Sequence, residues 1–324
     1  MKAAVLTRYG SPDVLSVQET AKPAPQKGEV LVKIHASGVN DWDWSLVRGK
    51  PYLYRLLYGL FKPKIRIPGI EIAGVVESVG PGTTQFKPGD RVYGDLSDGV
   101  FGGFADSVCV PEKHLTLMPA GLSFTHAAAI PHAAALALQG LVDVGRIKPG
   151  ERILVNGAGG GAGMIAVQIA TQYGCTVTGV DRGFKLPALK TFGYDAVLDF
   201  EQTDFTAEDK QYDLILDAKT TRLPHRYLKA LAPGGRYITV GGNVSQLLVV
   251  FLTGLILKAA GLTQKRLLVL ALKPNKGLGD INKMIEAQKL TVLIDGTYRL
   301  DQIGQALQRF GTGLHTGKIV LNIT

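Results

Sequence analysis

The chain has 324 residues, enough for two domains, and its 46% hydrophobic and 19% charged residues are typical of a globular rather than a disordered protein. Its two cysteines, Cys109 and Cys175, exclude a disulfide framework and a four-thiolate zinc site. The formal net charge of +9 is uneven, because the stretch from Arg48 to Arg66 holds six cations and no acidic residue. No cationic stretch leads into an apolar run at the N-terminus, so we predict no secretory signal and expect a cytoplasmic protein.

The first hundred residues predict a β-rich region. Stretches rich in Val and Ile alternate with turns that contain Gly and Pro, as in EVLVKIHASGV, IAGVVESVG and DRVYGDL. At Ser123, a residue type that caps helices, the Ala-rich segment FTHAAAIPHAAALALQGLVDV begins and predicts helix.

Short apolar strands then alternate with helices of about ten to fifteen residues, which predicts a doubly wound parallel sheet. The predicted strands are ILVNGA, TVTGVD, AVLDF, YDLILDA, RYITVGG and RLLVLAL, and the helices between them are GAGMIAVQIATQYG, KLPALKTFG and LPHRYLKALAP. The tail returns to mixed helix and strand with DINKMIEAQKL, TYRLDQIGQALQRF and GKIVLNI. We therefore predict an α/β protein in which residues 123–274 form the doubly wound domain, and residues 1–122 with 275–324 form a β-rich domain.

Five glycines occur in NGAGGGAG, at residues 156–163, between a predicted strand and a predicted helix. At such a corner, glycines allow a tight turn and let a pyrophosphate approach the amide groups of the helix start. The second strand ends at Asp181, about 20 residues further on, where an acid can bind the hydroxyls of an adenosine ribose. The alternative is an ordinary strand-to-helix turn. We predict a dinucleotide site that includes Gly157, Gly160, Gly161, Ala162, Gly163, Met164 and Asp181.

The nicotinamide coenzyme is NAD(H) or NADP(H). Asp181 repels a 2′-phosphate and favours NAD(H), whereas Arg182 and Lys185 just beyond it attract one and favour NADP(H). The alternative is that both cations belong to a solvated loop and do not contact the coenzyme. The carboxylate is the closer and more directional group, so we favour NAD(H) slightly.

Several stretches together resemble the medium-chain dehydrogenase/reductase superfamily, in its zinc-independent quinone oxidoreductase-like branch. They include MKAAVLTRYGSPDVL, GEVLVKIHASGVN, IPGIEIAGVVESVG, FKPGDRVYG, AAAIPHAAALALQGL, the glycine corner and HTGKIVL. The resemblance covers essentially the whole chain. It implies a GroES-like catalytic domain beside a Rossmann domain, an active site in the cleft between them, and a dimer.

Zinc-dependent members of that superfamily carry a Cys after the Gly-Val of the second of these stretches and a Gly-His-Glu in the third. Here the corresponding residues are Asn40 and Gly69-Ile70-Glu71, and the four-cysteine lobe is missing too. We therefore expect no zinc. Without this Lewis acid the acceptor must already be electrophilic, which favours quinones and α,β-unsaturated carbonyls.

The resemblance also suggests individual residues. Asn40 matches an asparagine kept near the nicotinamide, so its amide is the first candidate donor to the substrate oxygen, and a turn-stabilising role is the alternative. The phenol of Tyr52 or Tyr54 is a second candidate donor, with ordinary packing as the alternative. Near the coenzyme we also expect Phe200, where relatives have a tyrosine, and Val240 and Gly241 at the end of a strand. Leu136, His132 and Lys219-Thr220 depart from the family pattern.

The leading hypothesis is a reductase of quinones or enones that uses NAD(P)H. An alcohol or aldehyde dehydrogenase is the second hypothesis, and a protein that binds NAD(P)H without catalysis, and binds RNA through its charge, is the third. No RNA-recognition motif is present, so we expect no specific nucleic acid partner.

Two further expectations concern charge. An unpaired carboxylate in the apolar stretch GIEIAGVV would be costly, and resembling proteins bring a basic residue near it, so we predict a Glu71–Lys318 ion pair. We interpret the basic stretch at 48–66 as containing a lid helix. We interpret the apolar run at 247–257 as a segment of the core or of a dimer contact. The alternative is peripheral contact with a membrane, where cations meet anionic headgroups.

Overall fold

The computed structural model describes residues 1–323, which divide into two compact units. Unit 1 comprises Met1–His132, Pro274–Ala287 and residues 292–323, and unit 2 comprises Ala133–Lys273 and Gln288–Thr291. Among the described residues, no helix combines the length and the apolar character needed to span a membrane.

The strands are β1 Lys2–Leu6, β2 Leu15–Glu19, β3 Glu29–Val39, β4 Glu71–Val79, β5 Arg91–Asp95, β6 Ser107–Pro111, β7 Thr116–Leu117, β8 Arg152–Asn156, β9 Thr176–Asp181, β10 Ala196–Asp199, β11 Tyr212–Asp217, β12 Leu231–Thr239, β13 Arg266–Val269, β14 Ile294–Arg299 and β15 Lys318–Asn322. The α-helices are α1 Asp41–Arg48, α2 Leu53–Tyr58, α3 Phe124–Ala127, α4 Pro131–Leu138, α5 Gly161–Gln172, α6 Leu186–Thr191, α7 Pro224–Ala230, α8 Val244–Ala260, α9 Leu278–Glu286 and α10 Ile303–Gly311.

Unit 1 is built on a sheet with the strand order β14-β15-β3-β4-β5-β7, to which β6 adds by pairing with β3. β1 and β2 form a separate antiparallel pair. The alternation in β3 turns Val30, Val32 and Ile34 into the core, where they pack with Ile72 and Val92 of the neighbouring strands. The β-rich domain, which was predicted from stretches rich in Val and Ile between turns, is confirmed.

Unit 2 contains a six-stranded sheet in the order β10-β9-β8-β11-β12-β13, in which every neighbouring pair is parallel. The first strand of this sheet in the chain, β8, lies at its middle. The next strands extend to one side, and β11 then begins the other side. This reversal between β8 and β11 is a topological switch point, and open sheets of this kind bind ligands beyond the carboxyl ends of the strands there. The predicted doubly wound parallel sheet is confirmed.

Apart from Pro274, which lies in unit 1, the compact units differ from the predicted domain bounds in two segments. Residues 123–132, expected with the parallel sheet, lie in unit 1, because Phe124 of α3 stacks on His35 and His132 is bonded to Glu71. Residues 288–291, expected with the β-rich part, lie in unit 2, because the Gln168 side chain bonds both backbone groups of Thr291. Both differences arise from contacts between residues that are far apart in the sequence.

Two predicted helices also differ from the structure. The Ala-rich segment is not continuous, because α3 ends before Pro131, which lacks an N–H and begins α4 instead. The apolar run at 247–257 lies within α8. Of the two roles expected for it, burial in the core is wrong for most of the run, and a dimer contact stays a prediction. Val250 is the one residue of this helix that is fully buried.

Candidate active site

The glycine corner of unit 2 joins β8 to α5. Gly157 follows the strand at a φ of +83°, a left-handed conformation that favours glycine. The amides of Gly157 and Ala158 donate to the Val180 carbonyl at 3.0 and 3.1 Å, which ties the corner to the neighbouring strand β9. Gly160 is the N-cap of α5 and brings no side chain to the first amide groups of the helix. Such a helix start attracts anions, because its amide dipoles point outwards.

Packing requires a glycine at position 163 of the corner but not at position 160. A Cβ on Gly163 would lie 2.4 Å from the Ala158 carbonyl oxygen, so packing inside the corner dictates this glycine. A Cβ on Gly160 would meet no atom closer than 3.4 Å, and a φ of −85° suits any residue. Neither packing nor conformation requires a glycine at 160, so the missing side chain leaves open space in front of the helix. These residues fit the pyrophosphate of a dinucleotide.

Asp181 ends β9 beside this corner. Its Oδ2 accepts a hydrogen bond from the Gly159 amide at 2.8 Å, and the Lys185 ammonium lies 3.3 Å from its Oδ1. Both side chains are buried, so a solvated loop is the wrong description for Lys185. Burial lowers the pKa of Lys185, although the Asp181 carboxylate opposes that shift. Arg182 lies 3.6 Å from Glu201. A cation therefore already offsets the negative charge of Asp181.

The remaining predicted coenzyme residues lie at the same carboxyl edge of the parallel sheet. Phe200 follows β10 with its ring half-exposed, and its amide donates to the Asp181 carbonyl at 3.2 Å. Val240 and Gly241 follow β12, and the Val240 amide donates to the Asp217 carbonyl at 2.9 Å. Gly161 and Ala162 are half-buried in the first turn of α5, and Met164 is buried beneath it. The strand order explains why residues so distant in sequence share one edge.

Sequence reasoning missed a buried acid at the switch point. Asp217 ends β11, and its Oδ1 accepts from the Asn156 amide of the adjacent β8 at 2.8 Å. Its Oδ2 accepts from the Tyr237 hydroxyl, also at 2.8 Å. Burial raises the pKa of Asp217 even though these bonds oppose the shift. The sequence contained a signal for this pair, because one strand ends at Asn156 in NGA and another ends at Asp217 in LDA. Only the strand order shows that these two strand ends are neighbours.

Unit 1 carries a buried charged cluster formed by Asn40, Glu71, Asp95, His132 and Lys318. The Lys318 ammonium lies 2.6 Å from Glu71 Oε2, so the predicted ion pair is confirmed. The other carboxylate oxygen, Glu71 Oε1, accepts from the His132 amide at 2.7 Å. The pairing of β15 and β4 to β3 brings Lys318 and Glu71 to the same end of the sheet.

Asn40 is a member of this cluster rather than an open donor. Its Oδ1 accepts from Lys318 at 2.6 Å, which fixes the orientation of the amide. Its Nδ2 donates to Glu71 at 2.8 Å and, more weakly, to the Gly38 carbonyl at 3.4 Å. Since Nδ2 has two hydrogens, both are engaged by the protein. In this arrangement the amide has no hydrogen left for a substrate.

Tyr52 is not brought to the cluster. It is the N-cap of α2, its side chain is 66% exposed, and the Arg55 guanidinium lies 5.3 Å from the ring centre. With Leu53, Leu56 and Phe61 it lines an open depression of about 500 Å³. Tyr54, the other phenol that was considered, is mostly buried, and burial raises its pKa to about 12.

The cluster also contains an acid–histidine pair that the sequence did not reveal. His132 Nδ1 lies 2.7 Å from Asp95 Oδ2, and Asp95 Oδ1 accepts from the Ser97 amide at 2.8 Å. Burial acts to lower the pKa of His132, but Asp95 outweighs it and the net shift is upward. For Asp95, burial acts to raise the pKa, but His132 and Ser97 outweigh it and the net shift is downward. Within residues 1–323, the Nε2 atom of His132 makes no hydrogen bond.

Comparisons with known proteins give this geometry a context. The family description "Alcohol dehydrogenase GroES-like domain" matches residues 26–120, and "Zinc-binding dehydrogenase" matches residues 192–321. A 2-methylene-furan-3-one reductase from Solanum lycopersicum is 31% identical, over 99% of this chain and 79% of its own length. The chain belongs to the medium-chain dehydrogenase/reductase superfamily.

Two other relatives indicate the branch of this superfamily. A quinone oxidoreductase from Rattus norvegicus is 34% identical over 74% of this chain and 73% of its own length. A quinone oxidoreductase structure from Coxiella burnetii covers 100% of this chain and 99% of its own, with a TM-score of 0.88 and 25% identity. The chain is therefore a quinone oxidoreductase-like member of this superfamily of NAD(P)(H)-dependent oxidoreductases. The resemblance inferred from the sequence is confirmed, and so is the pairing of a GroES-like and a Rossmann domain.

The name of one matched family raises the question of zinc. No group of three or more His, Cys, Asp and Glu side chains able to hold a metal ion occurs in the described part of the chain, residues 1–323. Where zinc-dependent members carry Cys and His, this member of the superfamily has Asn40 and Ile70. The Lys318 ammonium already lies within 2.6 Å of Asn40 Oδ1 and Glu71 Oε2, so a second cation beside these oxygens would be repelled. These residues do not fit a zinc ion.

Proposed function

We propose that this chain is a zinc-independent reductase that uses NAD(P)H to reduce quinones or α,β-unsaturated carbonyls. The observation that carries the proposal is the position of Lys318, whose ammonium takes the place beside Glu71 and Asn40 where a metal would be needed. An acceptor that spreads incoming negative charge onto a conjugated oxygen needs no Lewis acid, only orientation and a proton. The names of the tomato and rat relatives describe acceptors of this kind.

The chain's own residues would hold the coenzyme at the carboxyl edge of the parallel sheet. Gly160 leaves the space for the pyrophosphate, and the amides that follow it would bind the phosphate oxygens. The other residues expected at the coenzyme are Gly157, Gly161, Ala162, Gly163, Met164, Asp181, Arg182, Lys185, Phe200, Val240 and Gly241. When bound, the reduced nicotinamide supplies a hydride. Asp181 favours NADH slightly, but the paired Lys185 reduces that preference.

The reduced acceptor also needs a proton, and His132 is the group best suited to deliver it. Its Nδ1 is held by Asp95, its pKa is raised, and its Nε2 has no partner within the described residues. An imidazole oriented by a carboxylate is the arrangement used for proton transfer in many enzymes. His132 lies in the Ala-rich segment, in the first turn of α4. Asn40 then acts as a positioning residue for Glu71 and Lys318.

Two other functions are distinguishable from this one. An alcohol dehydrogenase would need the metal that Lys318 disfavours. A binding protein without catalysis would hold NAD(P)H and leave every acceptor unchanged. We expect the chain to form a homodimer in the cytoplasm. We expect it to bind no specific nucleic acid.

The test is an assay of the purified full chain with NADH and NADPH against a benzoquinone, an alkenal and an enone, with a strong chelator present. Oxidation of the coenzyme that depends on the acceptor and survives the chelator supports the proposal. Metal-dependent oxidation of ethanol, or binding of coenzyme with no turnover of any acceptor, contradicts it.

A further inference from the structure

Helix α8 of unit 2 is apolar on both faces, yet only one face is covered. Its inner face packs on β13, and the fit is so close that a Cβ on Gly254 would lie 2.3 Å from the Leu267 carbonyl oxygen. Val250 on this face is fully buried. The opposite face carries six exposed apolar side chains, Leu248, Val249, Phe251, Leu252, Leu255 and Ile256, which we call the α8 face. Leu248 is 57% exposed and Ile256 63%, so large apolar surface meets water here.

The segment of the chain that contains α8 carries charge of one sign. Between residues 218 and 279 the sequence contains ten Lys and Arg residues and no Asp or Glu. Arg222 and Arg236 pair with acids outside this segment. Lys258 in the last turn of α8 and Arg266 at the start of β13 are exposed and form no ion pair within residues 1–323. An exposed apolar face bordered by unneutralised cations is complementary to a surface that is apolar inside and anionic outside.

We propose that the α8 face docks on the interface of an anionic lipid bilayer. Its leucines, valine, isoleucine and phenylalanine would enter the headgroup boundary, and Lys258 and Arg266 would meet anionic headgroups. The helix has 17 residues and is therefore about 26 Å long. It is held along its inner face by the protein, so it would lie in the plane of the interface.

Charge favours this occupant over the others. A second copy on the same face would bring two acid-free segments together, and like charges across an interface oppose association. The phosphates of a nucleic acid would pair with the cations but would leave the six exposed apolar side chains in contact with water. In the other basic stretch, at 48–66, the Arg48 and Arg55 guanidinium groups lie over the rings of Trp44 and Tyr9. The four other cations of that stretch are exposed, and the α2 control below tests whether the stretch takes part in binding.

Docking would bring the enzyme to acceptors that dissolve in the bilayer, such as quinones with long apolar tails. This consequence rests on the proposed function, but the docking itself does not. Vesicle binding can be measured without turnover, so failure of the docking proposal and failure of the proposed function give different results.

The test is co-sedimentation of the full chain with vesicles of phosphatidylcholine alone and of phosphatidylcholine with phosphatidylglycerol. We expect binding to the anionic vesicles that weakens with added salt. The triple variant Leu248→Gln/Leu252→Gln/Ile256→Gln should bind at least about tenfold more weakly, because it removes apolar groups that enter the boundary. The matched control Leu53→Gln/Leu56→Gln/Leu57→Gln changes three exposed leucines on α2 and should bind like the parent. Lys258→Glu/Arg266→Glu should lose the preference for anionic vesicles.

Circular dichroism and reduction of a water-soluble quinone verify that the α8 variants are folded. Equal binding of the α8 triple variant and the parent would overturn the proposal, as would absence of binding to anionic vesicles. A parent that is dimeric and ignores vesicles, together with an α8 triple variant that is monomeric, would assign the α8 face to a second copy and would also overturn it.

Discussion

The Lys318 ammonium lies 2.6 Å from Glu71 Oε2, and at most 6% of either side chain is exposed. The two residues are 247 positions apart, so the pair fastens the last strand of the chain to β4. The same ammonium donates to Asn40, and the same carboxylate accepts from the His132 amide. One buried ion pair therefore positions three segments of unit 1.

The first prediction concerns the stability of unit 1. Lys318→Met leaves the Glu71 carboxylate buried without a counterion, and we expect the free energy of unfolding to fall by about 3–5 kcal/mol. Both tryptophans, Trp42 and Trp44, lie in unit 1, so urea unfolding followed by tryptophan fluorescence reports on this unit. The control is Lys22→Met, which breaks a half-exposed pair with Glu77 and should cost at most about 1 kcal/mol. Equally small losses in both variants would mean that the buried pair does not stabilise the unit.

The second prediction separates the two glycines of the corner. Gly160→Ala should change the stability of unit 2 by no more than about 1 kcal/mol, because the added Cβ meets no close atom. It should nevertheless weaken NAD(P)H binding about tenfold or more, because the methyl group takes the space expected for the pyrophosphate. Gly163→Ala should destabilise the unit, since its Cβ would clash with the Ala158 backbone. Thermal unfolding by circular dichroism and binding by coenzyme fluorescence measure the two effects. Tight coenzyme binding by a folded Gly160→Ala protein would contradict a pyrophosphate site at the glycine corner.

The third prediction concerns coenzyme preference. Asp181→Ala removes the repulsion toward a 2′-phosphate and releases the Lys185 ammonium, which lies 3.3 Å from Asp181 Oδ1. The ratio of kcat/KM for NADPH to that for NADH should rise by about tenfold. The double variant Asp181→Ala/Lys185→Ala is the matched control and should lose most of that gain. An unchanged ratio in Asp181→Ala would remove Asp181 from the ribose site.

The fourth prediction concerns the pH dependence of turnover. If the His132 imidazolium delivers the proton, kcat is full below the pKa of His132 and falls as the pH rises through it. Asp95 raises that pKa, so Asp95→Asn should move the midpoint to lower pH. His132→Gln should lower kcat by about 100-fold.

His225→Gln provides the control for this experiment, because His225 is exposed on α7 and should leave both kcat and the midpoint unchanged. A midpoint that stays fixed in Asp95→Asn would contradict proton delivery by His132, even if kcat fell. Such a result would indicate that the pair only supports the structure.

Local patterns predicted much of this molecule. The glycine corner and the acid ending β9 are adjacent elements of one βαβ unit, so their spacing alone carried the prediction. The Glu71–Lys318 pair was predicted because a buried carboxylate needs a partner and the family resemblance indicated where to look.

What the sequence did not reveal depends on contacts between distant residues. His132 reaches Asp95 and Glu71 across 37 and 61 positions, and no local spacing encodes that meeting. Asn40 was expected to be an open donor, but its Nδ2 donates to Glu71 of β4, 31 positions away, and to the nearby Gly38 carbonyl. The apolar run in α8 was expected in the core or in a dimer contact. Its composition does not show which residues cover it, and within the described chain β13 packs on its inner face only.

The most direct test of the central claim follows the hydride to its destination. An α,β-unsaturated ketone is reduced by the full chain with coenzyme carrying deuterium at the transferred position, in the presence of a strong chelator. The account predicts a saturated ketone with one deuterium on the β-carbon and a solvent proton on the α-carbon. Deuterium on the carbonyl carbon, in an allylic alcohol, would contradict it and would identify an alcohol dehydrogenase.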